Sequence, residues 1–325
     1  MFKEIFKNSL NKKYKKSLKI LICIIFITFK KLTNSVNEKK LNVKICVCTC
    51  GKNENKYARE FVEHYKRYGI DNIFIYDNNA DNDEKFETVL SDYINSGYVK
   101  IINKRNNSKI QMNSFNHCYQ KNKKDYDWFI FYDFDEFIHL HNYNNMKNWV
   151  SQKIFNKCKI IYLNHVIHTD NDELFYSNKS LFERFPNIES YKNINFTYKP
   201  RYILLDLTKV IIRGNLTNIH FHNPHFINNI TSCDGFGNII TNKYNNIHLD
   251  KPDHKKYYFD HFYFKSSEEY LEKLNKGCVF YGIKRGYNLY WFKLYFAINK
   301  ITKEKLDYFE NKTNTNLSLF RNVIS

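Results

Sequence analysis

The chain has 325 residues, 43% of them hydrophobic and 18% aromatic, and 51 Lys+Arg against 33 Asp+Glu give a net charge of +18. Only 9 Gly and 4 Pro interrupt it, which excludes collagen-like, linker-like and generally disordered polymers. The length suits one or two domains with a large core, and no run reaches the roughly 18 apolar residues of a membrane span, which excludes a multi-span protein.

The charge is concentrated at the front. Residues up to Lys44 hold twelve Lys and two Glu, a charge of +10, and the remaining 281 residues carry the other +8. Lys12, Lys13, Lys15, Lys16 and Lys19 precede Ile20 to Phe29, and Lys30 and Lys31 follow. A basic stretch before about ten apolar residues reads as a signal peptide or short signal anchor. Ten residues rise only ~15 Å as a helix, so a basic tail at a membrane surface is the equal alternative. No A-x-A cleavage site follows, which favours retention. Residues 1–41 are therefore set apart as a tail. The expectation is membrane association, with a lumenal domain if the segment spans; a cytoplasmic location stays open. Seven N-x-S/T sequons (Asn106, Asn178, Asn195, Asn215, Asn229, Asn311, Asn316) suit a lumen, but Asn is abundant throughout.

Val43 to Cys50 is an apolar run read as a buried strand. Its Cys46, Cys48 and Cys50 alternate and share a face. The eight cysteines show no C-x-x-C and no zinc-finger spacing, so they are expected to be small buried hydrophobes, not a disulfide framework. Lys56 to Tyr68 places Tyr57, Phe61, His64, Tyr65 and Tyr68 at helical spacing before Gly69. Asn72 to Tyr76 is a strand ending in the turn-forming Asp77 to Asp81. A helix over Asp83–Asn95, a strand over Tyr98–Asn103, a helix over Gln111–Lys121 and an apolar strand over Trp128–Tyr132 follow. Alternation of this kind predicts an α/β fold: a Rossmann-like, mostly parallel sheet with helices on both faces. Ligands then bind beyond the carboxyl ends of the strands. Further on, Cys158–Leu163 reads as a strand, 168–178 as a polar loop over the crevice, and Arg201–Ile212 and Asn218–His222 as extended. Tyr257–Phe264 reads as a strand, Ser267–Lys276 as a capped helix, and the residues after Leu289 as one or two amphipathic helices.

Chemistry concentrates where the Trp128 strand ends, in Asp133-Phe-Asp135-Glu136. If the strand continues, Asp133 and Asp135 point the same way, about 7 Å apart at Cα. Two such carboxylates repel, and a divalent cation such as Mg²⁺ or Mn²⁺ relieves both repulsion and burial. A diphosphate is the natural co-ligand. A nucleic-acid binder would need its Lys/Arg on the folded domain among stackable aromatics, whereas the cluster here lies in the tail.

Lys52-Asn53-Glu54, then Ile73-Phe-Ile-Tyr-Asp77-Asn78, Asp133-Phe-Asp135-Glu136-Phe137 and His261-Phe-Tyr-Phe-Lys265-Ser266 with Glu269, Lys273 and Gly277 resemble glycosyltransferases of families 2 and 92. The resemblance runs from about Ile45 to Gly277. It implies a GT-A fold over 42–300, with 301–325 left as a C-terminal helical tail. It implies a nucleotide-sugar donor, and a glycan or glycoconjugate (glycan, protein or lipid) as acceptor. By the same carry-over, Asp133 and Asp135 hold the metal with a late histidine, His220, His222 or His261. Asn53, Glu54, Asp77 and Asn78, with Asp133, meet the nucleotide. Asp170, Asp172 and Glu173 stand as candidates for a catalytic base, and Arg184 and Lys199 as candidates to face phosphate. A non-catalytic sugar-binding relative and a basic nucleic-acid-binding protein are the alternatives.

Overall fold

The computed structural model describes residues 42–188, 207–223, 225, 230–240, 249, 253–277 and 284–322. The basic leader, Lys199, the sequons at Asn195 and Asn229 and the first part of the 201–212 segment lie outside the described residues.

Strands β1 (Ile45–Gly51), β2 (Asn72–Asp77), β3 (Val99–Asn103) and β4 (Trp128–Phe131) run parallel in the order β3-β2-β1-β4. Helices α1 (Asn55–Arg67), α2 (Glu87–Asn95) and α3 (Ile110–Asn122) make the crossovers. β1 is buried along its whole length, as a strand covered on both faces must be. Its two faces serve two cores. Ile45 and Val47 pack with Tyr57, Ala58, Phe61 and Tyr65 of α1. Cys46, Cys48 and Cys50 pack with Phe115, Cys118 and Tyr119 of α3.

Beyond β4 the sheet turns. β7 (Thr208–Arg213) lies antiparallel to β4 and to β6 (Ile160–Ile167). β6 is parallel to β8 (Ser232–Cys233) and to β9 (Tyr257–His261), and β9 is antiparallel to β5 (Glu136–Leu140). The path is β3-β2-β1-β4-β7-β6-β9-β5, with β8 beside β6. The fold is therefore the expected α/β type, with a mostly parallel sheet. Several elements escape sequence reading: β5, β8, the short helices α4 (Met146–Val150) and α5 (Leu181–Arg184), capped by Asn145 and Ser180, and a 3-10 turn at Lys153–Phe155.

A third core joins α6 (Ser267–Asn275), α7 (Leu289–Ile298), α8 (Lys303–Thr313) and α9 (Ser318–Arg321) through Tyr270, Leu274, Phe292, Tyr295, Leu306, Phe309 and Phe320. The segment set apart as a C-terminal tail is packed into the same compact unit, Val43–Ser325. Among the described residues, no helix is long and apolar enough to cross a membrane.

The cysteine expectation is corrected. Cys48 is bonded to Cys118 and Cys158 to Cys233, across 70 and 75 residues, while Cys46 and Cys50 are free and buried. Such separations leave no local spacing pattern. Only the packing of α3 on β1, and of β8 beside β6, brings the partners together. Loops of this length are those whose closure stabilises most, with typical disulfides contributing about 2–5 kcal/mol. Non-reducing peptide mapping is expected to join the Cys48 and Cys118 peptides. The Cys158→Ser/Cys233→Ser pair is expected to lose about 2–5 kcal/mol in denaturant unfolding.

Candidate active site

The acidic motif sits in a turn, because β4 ends at Phe131 and β5 begins at Glu136. Tyr132 and Phe134 are buried, and the Phe134 ring packs on Phe61 and Phe86 at 4.9 and 5.3 Å between centroids. A β-carbon at Gly51 would meet that ring at 2.6 Å, so the end of β1 must be glycine. Glu136 closes the turn: its Oε2 accepts from the Asp133 amide at 2.9 Å. The two aspartates consequently do not face one centre, contrary to the strand-continuation expectation. Asp133, a third exposed, accepts from Gln111 Nε2 at 2.8 Å and pairs with Lys209 Nζ at 2.7 Å. Lys209 also meets Glu136 Oε2 at 2.9 Å. Register explains its reach: Ile211 pairs with Ile130, so Lys209 falls just past the end of β4.

Asp135 is buried and has a different set of partners. Its Oδ2 takes Lys273 Nζ at 2.8 Å and Lys265 Nζ at 3.4 Å, and its Oδ1 faces His261 Nε2 at 3.7 Å. Burial disfavours the ionised carboxyl, but Lys273, then Lys265 and His261, outweigh it and hold the group well below the usual range. Burial keeps His261 neutral, and its Nδ1 lies 3.1 Å from Nδ1 of His165 on the neighbouring strand. Burial first, then the charges of Asp133 and Asp135, push Glu136 up to about 8 against the pull of Lys209. Lys265 is held in the left-handed region at φ 56°, an uncommon conformation for a side chain of this size. Ser266 then caps α6 in a reciprocal box with Glu269. Glu269 also accepts from Tyr57 Oη at 2.5 Å and from Arg184 at 2.5 and 3.1 Å. Although burial opposes its charge, these bonds, Arg184's first, hold it down at about 2.

These residues admit a divalent cation only in part. Among the described residues, no three His, Cys, Asp or Glu side chains are arranged to hold a metal ion. Asp135 Oδ1 and the neutral His261 Nε2 supply two donors of suitable chemistry on one side, while Oδ2 faces the lysines. That fits a hard cation completed by substrate phosphate oxygens, not one caged by protein. Asp133 has its carboxylate on Gln111 and Lys209. His220 and His222 are exposed, their rings 4.5 Å apart, on a segment whose Ile219 and Phe221 backbones bond to Gln120 and Asn116 of α3. It is His261 that lies beside Asp135.

At the ends of β1 and β2, Asp77 pairs with Arg105 at 2.8 Å and accepts from the Asn79 amide. Arg105 also donates to the Ala80 and Glu84 carbonyls, so it ties the turn that sequence left as an open cluster. Asn78 donates to the Asn107 carbonyl, and the Asn53 amide donates to Asn79 Oδ1. Glu54 pairs with Lys276. Glu54 Oε2 and Asn79 Nδ2 are buried with no hydrogen-bond partner in the structure, so each has bonding capacity left for a ligand or water.

The three candidate bases have other work. Asp170 is buried against Tyr295 Oη and Lys305 Nζ, and Asp172 takes the same lysine at 2.6 Å. Glu173 pairs with Arg184 at 2.9 Å. The 168–178 segment therefore docks the C-terminal helices, and Arg184 spends its guanidinium on carboxylates. Lys209 and Arg105 were missed. The signal for Lys209 was a lone lysine opening the apolar strand Thr208-Lys-Val-Ile-Ile.

A family profile described as Glycosyltransferase family 92 matches residues 42–279. A family 92 protein of Oryza sativa subsp. japonica is 35% identical over 96 residues, 30% of this chain and 16% of that protein. One from Arabidopsis thaliana is 35% identical over 108 residues, 32% of this chain and 18% of that protein. The chain thus aligns with less than a fifth of either relative's length. Crystal structures of S. aureus TarS superpose with TM-scores of 0.36 and 0.34 at 14% and 15% identity. They cover 68% and 70% of this chain, and 37% and 62% of theirs.

Two outcomes follow from the ion pairs. Lys209→Met strands Asp133 and Glu136 and is expected to cost about 3–5 kcal/mol in chemical unfolding. The depressed Glu269 carboxyl contributes stability that is complete above its unfolded value near 4.5 and is lost as pH falls toward 2. Unfolding free energy should decline across that window, by up to about 1.4 kcal/mol per pH unit from this group, and Glu269→Gln should flatten the decline.

Proposed function

The chain belongs to glycosyltransferase family 92, and we propose that it transfers a sugar from a nucleotide-sugar donor to a hydroxyl of a glycan or glycoconjugate. The observation that carries this reading is the buried charge cluster of Asp133, Asp135, Glu136, Lys209, Lys265, Lys273 and His261 just past the carboxyl end of β4. In a sheet of this type, that edge is where ligands bind.

In the reaction the acceptor oxygen bonds to the anomeric carbon as its bond to the diphosphate oxygen breaks, and the acceptor proton passes to a base. The leaving group departs as a nucleoside diphosphate, so the protein's task is to orient the donor and match negative charge. A bound Mn²⁺ or Mg²⁺, held by Asp135 and His261, would supply charge neutralisation at the diphosphate. Asp133, fixed by Gln111 and Lys209, keeps a rigid rim beside it. Asn53, Glu54, Asp77 and Asn78 form the neighbouring rim proposed for the nucleoside, where the unpartnered Glu54 Oε2 and Asn79 Nδ2 lie.

The disulfides support a lumenal domain, because such bonds persist in oxidising compartments. The five described sequon asparagines, Asn106, Asn178, Asn215, Asn311 and Asn316, are all exposed. With a lumenal domain, the Lys-rich leader serves as the membrane-associated segment.

The test is release of nucleotide from a panel of UDP- and GDP-sugars by the purified full chain, with Mn²⁺ and with EDTA. One donor is expected to turn over with Mn²⁺. Asp135→Asn and His261→Ala are each expected to lower that rate by about a hundredfold or more. A chain that neither binds nor hydrolyses any donor under either condition would overturn the reading.

A further inference from the structure

Two lysines converge on one carboxylate oxygen. Lys273 and Lys265 lie 2.8 and 3.4 Å from Asp135 Oδ2, their side chains 15% and 6% exposed. Lys273 sits 3.7 Å from the centroid of the Tyr263 ring, and Lys265 sits 4.4 Å from that of Tyr57. The neighbouring acids have ion-pair partners of their own, although Glu54 and Glu269 also act on Lys265 through their charge. Glu269 is bonded to Arg184, and Glu54 to Lys276. Asp133 and Glu136 share Lys209. Both buried ammonium groups are bonded to the same carboxylate oxygen of Asp135.

Two ammonium groups on one carboxylate oxygen keep further N–H donors, which a buried site must match with acceptors. The positions of both lysines are also enforced. Lys265 occupies left-handed backbone immediately before the Ser266 cap, and Lys273 also donates to the Tyr263 carbonyl at 2.9 Å. Strain of this kind persists where surrounding structure over-determines it, and it gathers at ligand-binding positions. A pair of fixed ammonium donors matches the oxygens of a diphosphate.

We infer that Lys265 and Lys273 form a diphosphate clamp, with Asp135 as the counter-ion that orients both ammonium groups toward the donor's phosphates. The inference rests on the transferase reading for the identity of the anion. It adds a role for these two lysines that is separate from any cation on the Oδ1 side of Asp135. On binding, each ammonium keeps its charge and exchanges or shares the carboxylate oxygen for phosphate oxygen. No covalent bond is made or broken.

The experiment titrates the full chain calorimetrically with inorganic pyrophosphate, UDP and GDP in EDTA, so that no cation bridges the anion. Wild type is expected to bind pyrophosphate and at least one nucleoside diphosphate. Lys265→Met and Lys273→Met are each expected to weaken both about ten- to hundredfold. Affinity for the free nucleoside should stay unchanged, and Lys273→Arg should recover most of the loss. Melting curves identify a variant that fails to fold, and the arginine variant then decides the case by retaining pyrophosphate affinity. The clamp is overturned if pyrophosphate and diphosphate affinities are the same in wild type and both methionine variants, or if wild type binds neither anion. If nucleotide-sugars are hydrolysed while these affinities do not respond, the clamp fails and the transferase reading stands. If pyrophosphate binding responds but no nucleotide-sugar is bound or hydrolysed, the clamp stands and the transferase reading fails.

Discussion

Three carboxylates within four residues, at the blind end of a wholly buried strand, cannot remain ionised without cations beside them. Lysines that lie 76, 130 and 138 residues away along the chain, as counted from their partners in the turn, meet this demand at Asp133 and Asp135, while burial still lifts Glu136 to about 8 beside Lys209. The neutralisation of that turn holds the two halves of the molecule in register. Lys209 draws β7 against the end of β4. Lys265 and Lys273 draw the start and middle of α6 over the motif. His261 arrives on β9 because Glu136 and His261 are directly paired across the β5–β9 ribbon. The same turn is thus a joint of the fold and the centre of the site.

Around that joint, hydrogen bonds extend the ordering outward. Glu269, at the start of α6, collects Tyr57 from α1 and Arg184 from α5 (Leu181–Arg184). Arg184 in turn holds Glu173, whose segment is anchored by Asp170 and Asp172 to Lys305 of α8. Acids that sequence reading nominated for proton transfer are therefore spent on fastening the C-terminal helices. Arg105 plays a similar part at the ends of β1 and β2, closing the Asp77 turn from β3's end.

The parallel half was legible because its information is local. Buried runs such as Ile45–Cys50 and Trp128–Phe131, amphipathic α1, and Gly69 and Gly97 as stops can each be read within about a dozen residues. The motif's location at a strand end was legible for the same reason. Its geometry was not, because nothing local distinguishes an extended Asp-Phe-Asp from one folded into a turn by Tyr132 and Phe134 finding separate pockets. β5 was hidden since its partner is β9, more than a hundred residues later. The disulfides and Lys209 share that difficulty: their partners are chosen by packing between distant elements. Lys265, Glu269 and Lys273 stood in a recognisable family ending, yet only the folded arrangement shows them meeting Asp135 and Tyr57.

The pairing of β5 with β9 also sets an order of events during synthesis. Strands β1 to β4 and their crossovers have all their mutual partners within the first 131 residues, so that layer can begin to form while the ribosome is still extending the chain. The strand just after the acidic turn must wait. Its ladder partner among the described residues emerges more than a hundred residues later, and Lys265 and Lys273 later still. Until then Asp135 follows a hydrophobic strand without its two lysines, although Lys209 is already available to Asp133 and Glu136, and this disfavours premature burial of that edge. The protein therefore completes its chemistry last, when the segment that neutralises the turn is also the one that closes the sheet.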